Sequence, residues 1–358
     1  MKILGSPSAP VDASGVSFDW RRYMPLILVA GLFAAVVGSM CIGPYPMSFG
    51  RAAGVLGRLA VPTPLPEELP WPAKEVAVVQ IIRMPRVLLA LFVGIALGMS
   101  GTALQGIMRN PLVGPDLVGV SSGAACGYVL AVMLRMPPSA RMLLAFLGGM
   151  AAMGCTYALA KLAKSAGGVG LILSGIFVGA FCMACVGLGQ FLADDDQLHN
   201  MMFWLLGTLT LATPKTVWTL AVPTLVGGSV LMLLRWRLNL LSLGELDATT
   251  LGVNVKWVRL AVIAIVSWMV AAQVSVSGII GWVGLVIPHV GRMLVGPDHR
   301  KLLPASALLG GMFVLGVDDF TRVILQIDVS VGGLTSLIGT PFLVFLFWRK
   351  KAKGWMNE

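Results

Sequence analysis

Charged residues are scarce in this 358-residue chain. Only 12% of the residues are Asp, Glu, Lys or Arg, whereas 57% are hydrophobic and the mean hydropathy is +0.87. A soluble domain carries about 25% charged residues, and half that fraction cannot cover a water-facing globule of this size. This excludes an ordinary soluble enzyme, a disordered chain and a secreted disulfide scaffold. The long, continuous apolar stretches favour a polytopic helical membrane protein over a membrane barrel, whose strands alternate in polarity.

Sequence signatures of catalysis and metal binding are also missing. The chain has no GxxxxGK[ST] phosphate loop and no HExxH motif, so we expect no enzyme activity, no catalytic residue, no cofactor and no bound metal. The CxxC spacing of Cys182 and Cys185 has no second pair near it, which favours ordinary packing. The net charge of +10 is assigned to basic residues that flank membrane spans, not to a nucleic-acid partner.

Apolar runs predict ten membrane spans in a single transmembrane domain, residues 21–350, between a polar tail at 1–20 and another at 351–358. The spans are placed at 25–42, 86–107, 117–134, 141–162, 169–192, 215–234, 257–277, 280–294, 302–318 and 331–348. A bilayer of ~30 Å needs about 20 helical residues. The 280–294 run is therefore short, and we expect it to start in a glycine-rich break near Ser277–Gly281.

The distribution of basic residues predicts that both termini are cytoplasmic. With that orientation, 17 of the 26 Lys and Arg residues lie on the inner side, and the cluster at 349–351 is the strongest anchor. Basic residues are enriched in the loops that stay in the cytoplasm. The Pro-rich segment 43–80 then becomes a long external loop.

Charged residues are nearly absent from the middles of the predicted spans, where proton-driven carriers usually place Asp, Glu or His. Of the three histidines, His289 lies in a span and His299 in a charged cytoplasmic turn, where we expect it to be solvated. His199 follows an acidic run at the outer end of the fifth span. We therefore expect another subunit to supply the energy, while an autonomous ion-gradient-driven carrier stays open as the alternative.

Two polar segments stand out among the apolar runs. Arg83–Arg86 lies at the outer mouth of the second span, and Ser242–Val255, SLGELDATTLGVNV, forms a cytoplasmic loop. Within that loop, Gly244 and Gly252 bracket a stretch long enough for about two helical turns. From periodicity alone, a short amphipathic helix that meets a cytoplasmic partner and a plain linker are equally good interpretations.

Long motifs give the chain a resemblance to a known family. The run Arg83–Leu134, with RNPLVGPDLVGVSSGA at 109–124, resembles the FecCD/BtuC-like permeases, the membrane subunits of type II ATP-binding-cassette importers for vitamin B12, haem and ferric siderophores. The specific motif GLVIPHVGRMLVGPDHR at 284–300 agrees with it. So do the segments 241–255, 278–310, 318–322 and 331–347. The similarity extends over nearly the whole chain from about residue 21.

The resemblance implies an all-α permease fold of about ten membrane helices and a homodimer around a central path. It implies two cytoplasmic ATP-binding subunits below and a periplasmic or lipid-anchored binding protein above. The complex would sit among the lipids of a bacterial or archaeal cytoplasmic membrane. The family's fifth and tenth spans line the path, which here means about 171–192 and 333–347.

The resemblance also assigns docking residues. By motif, Arg83, Arg86 and Arg322 match outer-face arginines that pair with glutamates of the binding protein, and Arg makes strong charge-assisted bonds with carboxylates. The family's coupling helix matches the second polar segment and settles its interpretation as a docking surface. The residues assigned to ATPase coupling are Leu243, Gly244, Glu245, Asp247, Leu251 and Gly252.

One segment bears on the substrate. Residues 194–209, DDDQLHNMMFWLLGTL, resemble the DxQLRxxxFWxxGSL pattern of haem and cobalamin permeases more than the siderophore one. The chain departs from the pattern by placing His199 where arginine is frequent, and a histidine at the mouth of the path would suit a haem iron. Met183, Met201 and Met202 add soft surface, although lipid or core packing explains them equally well. Haem is the favoured substrate, with ferric siderophore and cobalamin left open.

Overall fold

The fold is a bundle of helices. A computed structural model describes residues 20–43, 45, 47–48, 50–51, 54–55, 57, 73–163, 168–325 and 330–351. The predicted tail 1–20, except Trp20, most of the external loop and residues 352–358 lie outside the described residues. The helices are α1 Trp20–Cys41, α2 Met84–Met108, α3 Val120–Met133, α4 Pro138–Leu162, α5 Gly168–Leu192, α6 Asp195–Leu205, α7 Pro214–Leu243, α8 Glu245–Thr250, α9 Val255–Ser277, α10 Val283–Val295, α11 His299–Phe320 and α12 Val331–Lys351.

Ten of these helices have the character of membrane spans, which confirms the predicted polytopic all-α fold. Seven are long and apolar enough to cross a bilayer, namely α1, α2, α4, α5, α7, α9 and α11. Three shorter apolar helices, α3, α10 and the described part of α12, complete the set. The remaining two, α6 and α8, are short and more polar, and both lie between spans.

Several boundaries differ from the predicted spans. The short helix Ala73–Ala77 and the π-helical turn Val78–Arg83 lead straight into α2, so the external loop ends earlier than expected at 80. α3 begins only at Val120, because the 3₁₀ turn Pro115–Val118 and the left-handed Gly119 precede it. α10 begins after the break that the sequence predicted, which makes it the short helix expected there.

Glycines bring the central helices into backbone contact. In α2, Gly94, Gly98 and Gly101 follow one another at spacings of four and three residues and share one face, as the sequence indicates. A Cβ added at Gly101 would lie 1.7 Å from the carbonyl oxygen of Gly284 in α10. A Cβ at Gly94 would likewise overlap the backbone of Gly310 in α11. Only a residue without a side chain permits this approach.

His299 is buried rather than solvated, contrary to the expectation for a charged turn. It is 5% exposed, and its backbone N–H donates to Asn239 Oδ1 at 2.8 Å while its ring Nδ1 lies 2.9 Å from the same oxygen. Asn239 in turn donates from Nδ2 to Asp298 Oδ1 at 2.6 Å. The prediction failed because α7 runs nine residues past its predicted end at 234 and packs against the start of α11.

Candidate functional site

Two of the outer arginines belong to a compact ion-pair network that joins α2 to α11. Arg86 Nε donates to Asp318 Oδ1 at 2.9 Å and to Oδ2 at 3.2 Å. Arg322 Nε lies 3.0 Å from Asp318 Oδ2, and the Arg322 guanidinium also pairs with Asp319. Ser39, near the end of α1, donates to Asp319 Oδ1 at 2.7 Å and so ties a third helix to the network.

Arg83 caps the end of α1. Its Nη1 donates to the carbonyl oxygen of Met40 at 2.8 Å, and its Nη2 donates to the carbonyl oxygen of Tyr45. The last carbonyls of a helix have no partner within the helix, and a guanidinium can satisfy several of them at once. The side chain is 3% exposed, so Arg83 lies inside this end of the bundle and not at the exposed rim that the sequence indicated.

The centre of the outer network is closed to solvent, whereas Asp319 at its edge is partly exposed. Asp318 is fully buried and Arg322 is 8% exposed. A carboxylate from another protein can therefore reach these guanidinium groups only by competing with Asp318 and Asp319. The assignment of Arg83, Arg86 and Arg322 to a binding protein stays a prediction, and their observed contacts hold helices together.

α6 presents His199 to solvent at the predicted outer end. The helix starts with a capping box, in which Asp194 Oδ1 accepts from Gln197 N at 2.8 Å and Gln197 Oε1 accepts from Asp194 N at 3.2 Å. The box fixes the first turn, which lies just before His199. The imidazole is exposed, and its ring centre lies 6.5 Å from that of Phe203.

The three methionines separate into two groups. Met201 is 0% exposed and turns inward with Trp204, which stacks on Tyr128 of α3 at 3.9 Å between ring centres. A spacing of three residues puts 201 and 204 on one face of α6, so Met201 packs in the core and does not fit the predicted pathway role. Met183 and Met202 are exposed and remain compatible with that role.

Three breaks between helices lie next to one another in the structure. The sequence predicted only the one near Ser277–Gly281, between α9 and α10. Thr208 N donates to the carbonyl oxygen of Ser277 at 2.8 Å, and Val331 N donates to that of Gly207 at 3.0 Å. Ser330 Oγ donates to the carbonyl oxygen of Leu206. These bonds join the α6–α7 connection, the α9–α10 break and the start of α12.

Glycine makes this meeting of breaks possible. Gly207 and Gly278 both have positive φ, +76° and +68°, and a Cβ on either would overlap a neighbouring backbone carbonyl. Irregular backbone at membrane depth occurs where protein buries it or where it lines a cavity, and transporter folds place sites at such breaks. α12, one of the two helices that the resemblance assigns to the path, starts here. The one sequence feature that could have indicated these breaks is the presence of isolated glycines within apolar segments.

α8 projects two hydrophobic side chains away from the bundle. Leu246 is 84% exposed, and Leu251 just after the helix is also exposed, whereas Ala248 packs inward. Gly244 and Gly252, with φ of +145° and +81°, allow the chain to turn sharply on both sides of the helix. The predicted helix in this loop is confirmed, and its exposed leucines give it the character of a docking surface.

The coupling residues predicted from sequence are not equivalent in the structure. Glu245 pairs with Arg259 of α9, so part of its role is to hold α8 against the bundle. Asp247 and Leu243 are exposed. Leu246 was missed by sequence reasoning, because the leucine pattern of a six-residue helix does not reveal which side packs.

Comparison with known proteins gives consistent matches. The FecCD transport family matches residues 28–349. The molybdate import system permease MolB of Haemophilus influenzae is 37% identical over 328 residues, covering 91% of this chain and 95% of that protein. The hemin transport permease HmuU of Yersinia pestis is 40% identical over 285 residues, covering 75% and 83%. The cobalamin import permease BtuC of Halobacterium salinarum is 36% identical over 377 residues, covering 96% and 99%.

The fold also matches a solved structure of a metal-chelate type ABC transporter in an inward-facing conformation. The TM-score is 0.80 at 36% sequence identity, and the match covers 92% of this chain and 99% of that one. This structural match covers most of the chain, as does the family match over residues 28–349.

Proposed function

The chain belongs to the FecCD transport family, and from that premise we propose that it imports a metal chelate, with haem as the favoured cargo. At the coarser level it is a multi-pass membrane permease of an ABC importer of the iron-chelate and vitamin B12 type. The observation that carries the proposal is the family match over residues 28–349, combined with an exposed α8 where an ATPase would dock.

We propose that two copies of the chain form the path and that a cytoplasmic ATP-binding subunit docks on α8 of each. The exposed leucines of α8 support this, because hydrophobic side chains on a short loop helix gain by being covered. An external binding protein would approach the opposite end, where Arg86 and Arg322 lie. Its carboxylates would exchange with Asp318 and Asp319. Both termini would then be cytoplasmic, as the basic residues indicate.

The Leu246→Asp variant tests the docking surface. We expect it to weaken ATPase association at least about tenfold, because burying a leucine contributes ~1.5–3 kcal/mol and the variant adds an unpaired carboxylate. The measurement is the amount of ATP-binding subunit that co-purifies in detergent. Leu246→Met is the matched control and should bind normally, since Met replaces Leu at little cost. Unchanged co-purification of Leu246→Asp would remove α8 from the interface.

The rival interpretation, an ion-gradient-driven carrier, makes an opposite prediction about the isolated chain. A carrier transports alone in liposomes when a gradient is imposed, whereas this chain should be silent until the ATP-binding subunit and ATP are added. Gradient-driven uptake by the chain alone would overturn the proposed function. The described spans hold one buried acid, Asp318, and one partly exposed acid, Asp319, but both are paired with arginine at the outer end and not in mid-membrane.

The substrate proposal rests on α6 and His199. The relatives named above are permeases for molybdate, hemin and cobalamin, so family membership alone does not choose among cargoes. An exposed imidazole next to Phe203 offers a haem a nitrogen ligand and a flat ring to lie against. Met202 on the same helix adds an exposed, polarizable side chain. Together these side chains support haem over an oxyanion.

The His199→Ala variant tests this assignment. We expect haem uptake by the assembled transporter in liposomes to fall several-fold while basal ATP hydrolysis is unchanged, because the imidazole is exposed and lies on α6, away from the α8 surface proposed for the ATPase. His199→Arg should be tolerated, and Asn200→Ala is the control for a neighbouring exposed position. If the wild type takes up molybdate or cobalamin but not haem, the cargo assignment is wrong. Equal haem uptake by wild type and His199→Ala would leave His199 as a polar residue at a helix end.

A further inference from the structure

A groove of about 810 Å³ opens between the end of α4, the short helix α8 and the start of α9. Its walls combine basic side chains with the aromatic ring of Tyr157 and the aliphatic Leu260. It lies on the predicted cytoplasmic side, behind α8, and it is separate from the outer network and from α6. Of the functions proposed above, only ATPase coupling shares residues with it, namely Glu245 and Gly252.

The charge of the groove is positive. Lys161 near the end of α4 and Lys256 near the start of α9 both line it and are exposed. Arg259, one turn further along α9, also lines it and pairs with Glu245, the one acidic residue in the lining. Three cations against one anion favour a ligand with one or two negative charges.

The groove lies at the depth in the membrane where lipid headgroups are expected. Lys161 is the penultimate residue of α4 and Lys256 the second residue of α9, so both ammonium groups lie where spans leave the bilayer. Tyr157 is four residues deeper, about 6 Å along the helix axis. Leu159, Leu162 and Trp257, which lie next to lining residues in sequence, are exposed. Aromatic rings and lysines at this depth are typical of a membrane interface.

We propose that this groove binds the phosphate headgroup of an anionic phospholipid, whose acyl chains lie along the exposed apolar surface of α4. Basic pockets between membrane helices at the cytoplasmic surface have the charge and shape for this ligand class. A soluble anion would fill the basic end alone and leave the apolar flank uncovered. The proposal rests on membrane embedding and not on the cargo or on the ATPase.

The groove is linked to the docking helix through one ion pair. Arg259 reaches both the groove and Glu245, the first residue of α8. A lipid phosphate near Arg259 would share its guanidinium with Glu245 and so act on the orientation of α8. An anionic lipid would then help to orient α8, the helix that carries Leu246.

Native mass spectrometry of the full chain in detergent tests the site. Titration with dioleoyl phosphatidylglycerol should give a one-to-one adduct at least about tenfold tighter than dioleoyl phosphatidylcholine. The Lys161→Gln/Lys256→Gln variant should lose about 30-fold in phosphatidylglycerol affinity, because each lysine contributes about a factor of five near a lipid phosphate. The Lys161→Arg/Lys256→Arg variant should restore the affinity, which shows that charge and not folding is responsible.

The control is Lys215→Gln/Lys301→Gln, which removes two exposed lysines outside the groove and should bind phosphatidylglycerol like the wild type. Equal lipid affinity in the wild type and in Lys161→Gln/Lys256→Gln would overturn the proposal. Displacement of phosphatidylglycerol by millimolar inorganic phosphate would assign the groove to a soluble anion and also overturn it. A variant that loses ATPase co-purification but keeps lipid binding would assign the groove to the ATPase.

Discussion

Gly101→Val is expected to prevent α2 and α10 from packing and to abolish transport. A Cβ at this position would lie 1.7 Å from the carbonyl oxygen of Gly284. That oxygen belongs to the backbone of α10, so no side chain can move aside to relieve the overlap. Overpacking that side chains can absorb costs ~1–3 kcal/mol. Here two helices must separate, so a larger loss is expected. The measurement is the melting temperature of the purified chain in detergent, together with its elution as a single species.

Gly154→Val is the matched control for that experiment. Gly154 lies in α4, and a Cβ there meets no other atom within 4 Å. The two variants introduce the same β-branched side chain into the interior of a long helix, so the cost in helix propensity is the same in both. Gly154→Val should melt close to the wild type. If the two variants melt at the same temperature, the contact between α2 and α10 does not limit stability.

Much of the fold could be predicted because membrane spans are a local property. A run of about 20 apolar residues identifies a span whatever its neighbours are, and the ten predicted runs correspond to ten helices. The short α10 was also predicted, because glycines mark where a helix must stop. For the segment 242–255, periodicity left a helix and a plain linker open, and only the family resemblance favoured the helix. The spacing of Gly94, Gly98 and Gly101 in the sequence is enough to predict that they share one face of α2.

What could not be predicted depends on contacts between distant segments. Arg83 looks like a rim residue in sequence, but it is buried against two backbone carbonyls at the end of α1 and a third, that of Tyr45, just after the helix. His299 looks solvated until the extended α7 brings Asn239 beside it. The interpretation of both residues differs from the sequence prediction because each is bonded to an oxygen atom about 40 or 60 residues away in the chain. No local sequence pattern indicates such a pairing.

The candidate site shows the same division. Local polarity placed His199 at the end of the fifth predicted span and the polar segment 242–255 between two spans. The meeting of three helix breaks at Gly207, Gly278 and Gly332 was not predicted, since each glycine alone looks like many others in a chain with 43 of them. Their shared location depends on long-range hydrogen bonds, because the start of α12 bonds to the α6–α7 connection.

Asp318→Asn is expected to destabilise the outer end of the bundle by ~3–5 kcal/mol, the cost of removing one partner from a buried ion pair. Asp318 is fully buried and contacts both Arg86 and Arg322. The isosteric amide keeps the shape but leaves two guanidinium groups facing each other without the carboxylate between them. A lower melting temperature in detergent is the readout, with Asp319→Asn as a milder comparison because Asp319 is partly exposed.

A double-mutant cycle separates this electrostatic effect from a general defect. If Asp318 acts by compensating Arg86, the Arg86→Gln/Asp318→Asn variant should be more stable than the sum of the two single losses predicts, because it removes charges of both signs. Additive losses would mean that the two residues act independently and that the pair does not join α2 to α11.

The same variants address docking, since a binding protein that needs Arg86 should lose affinity with Arg86→Gln whether or not Asp318 is changed.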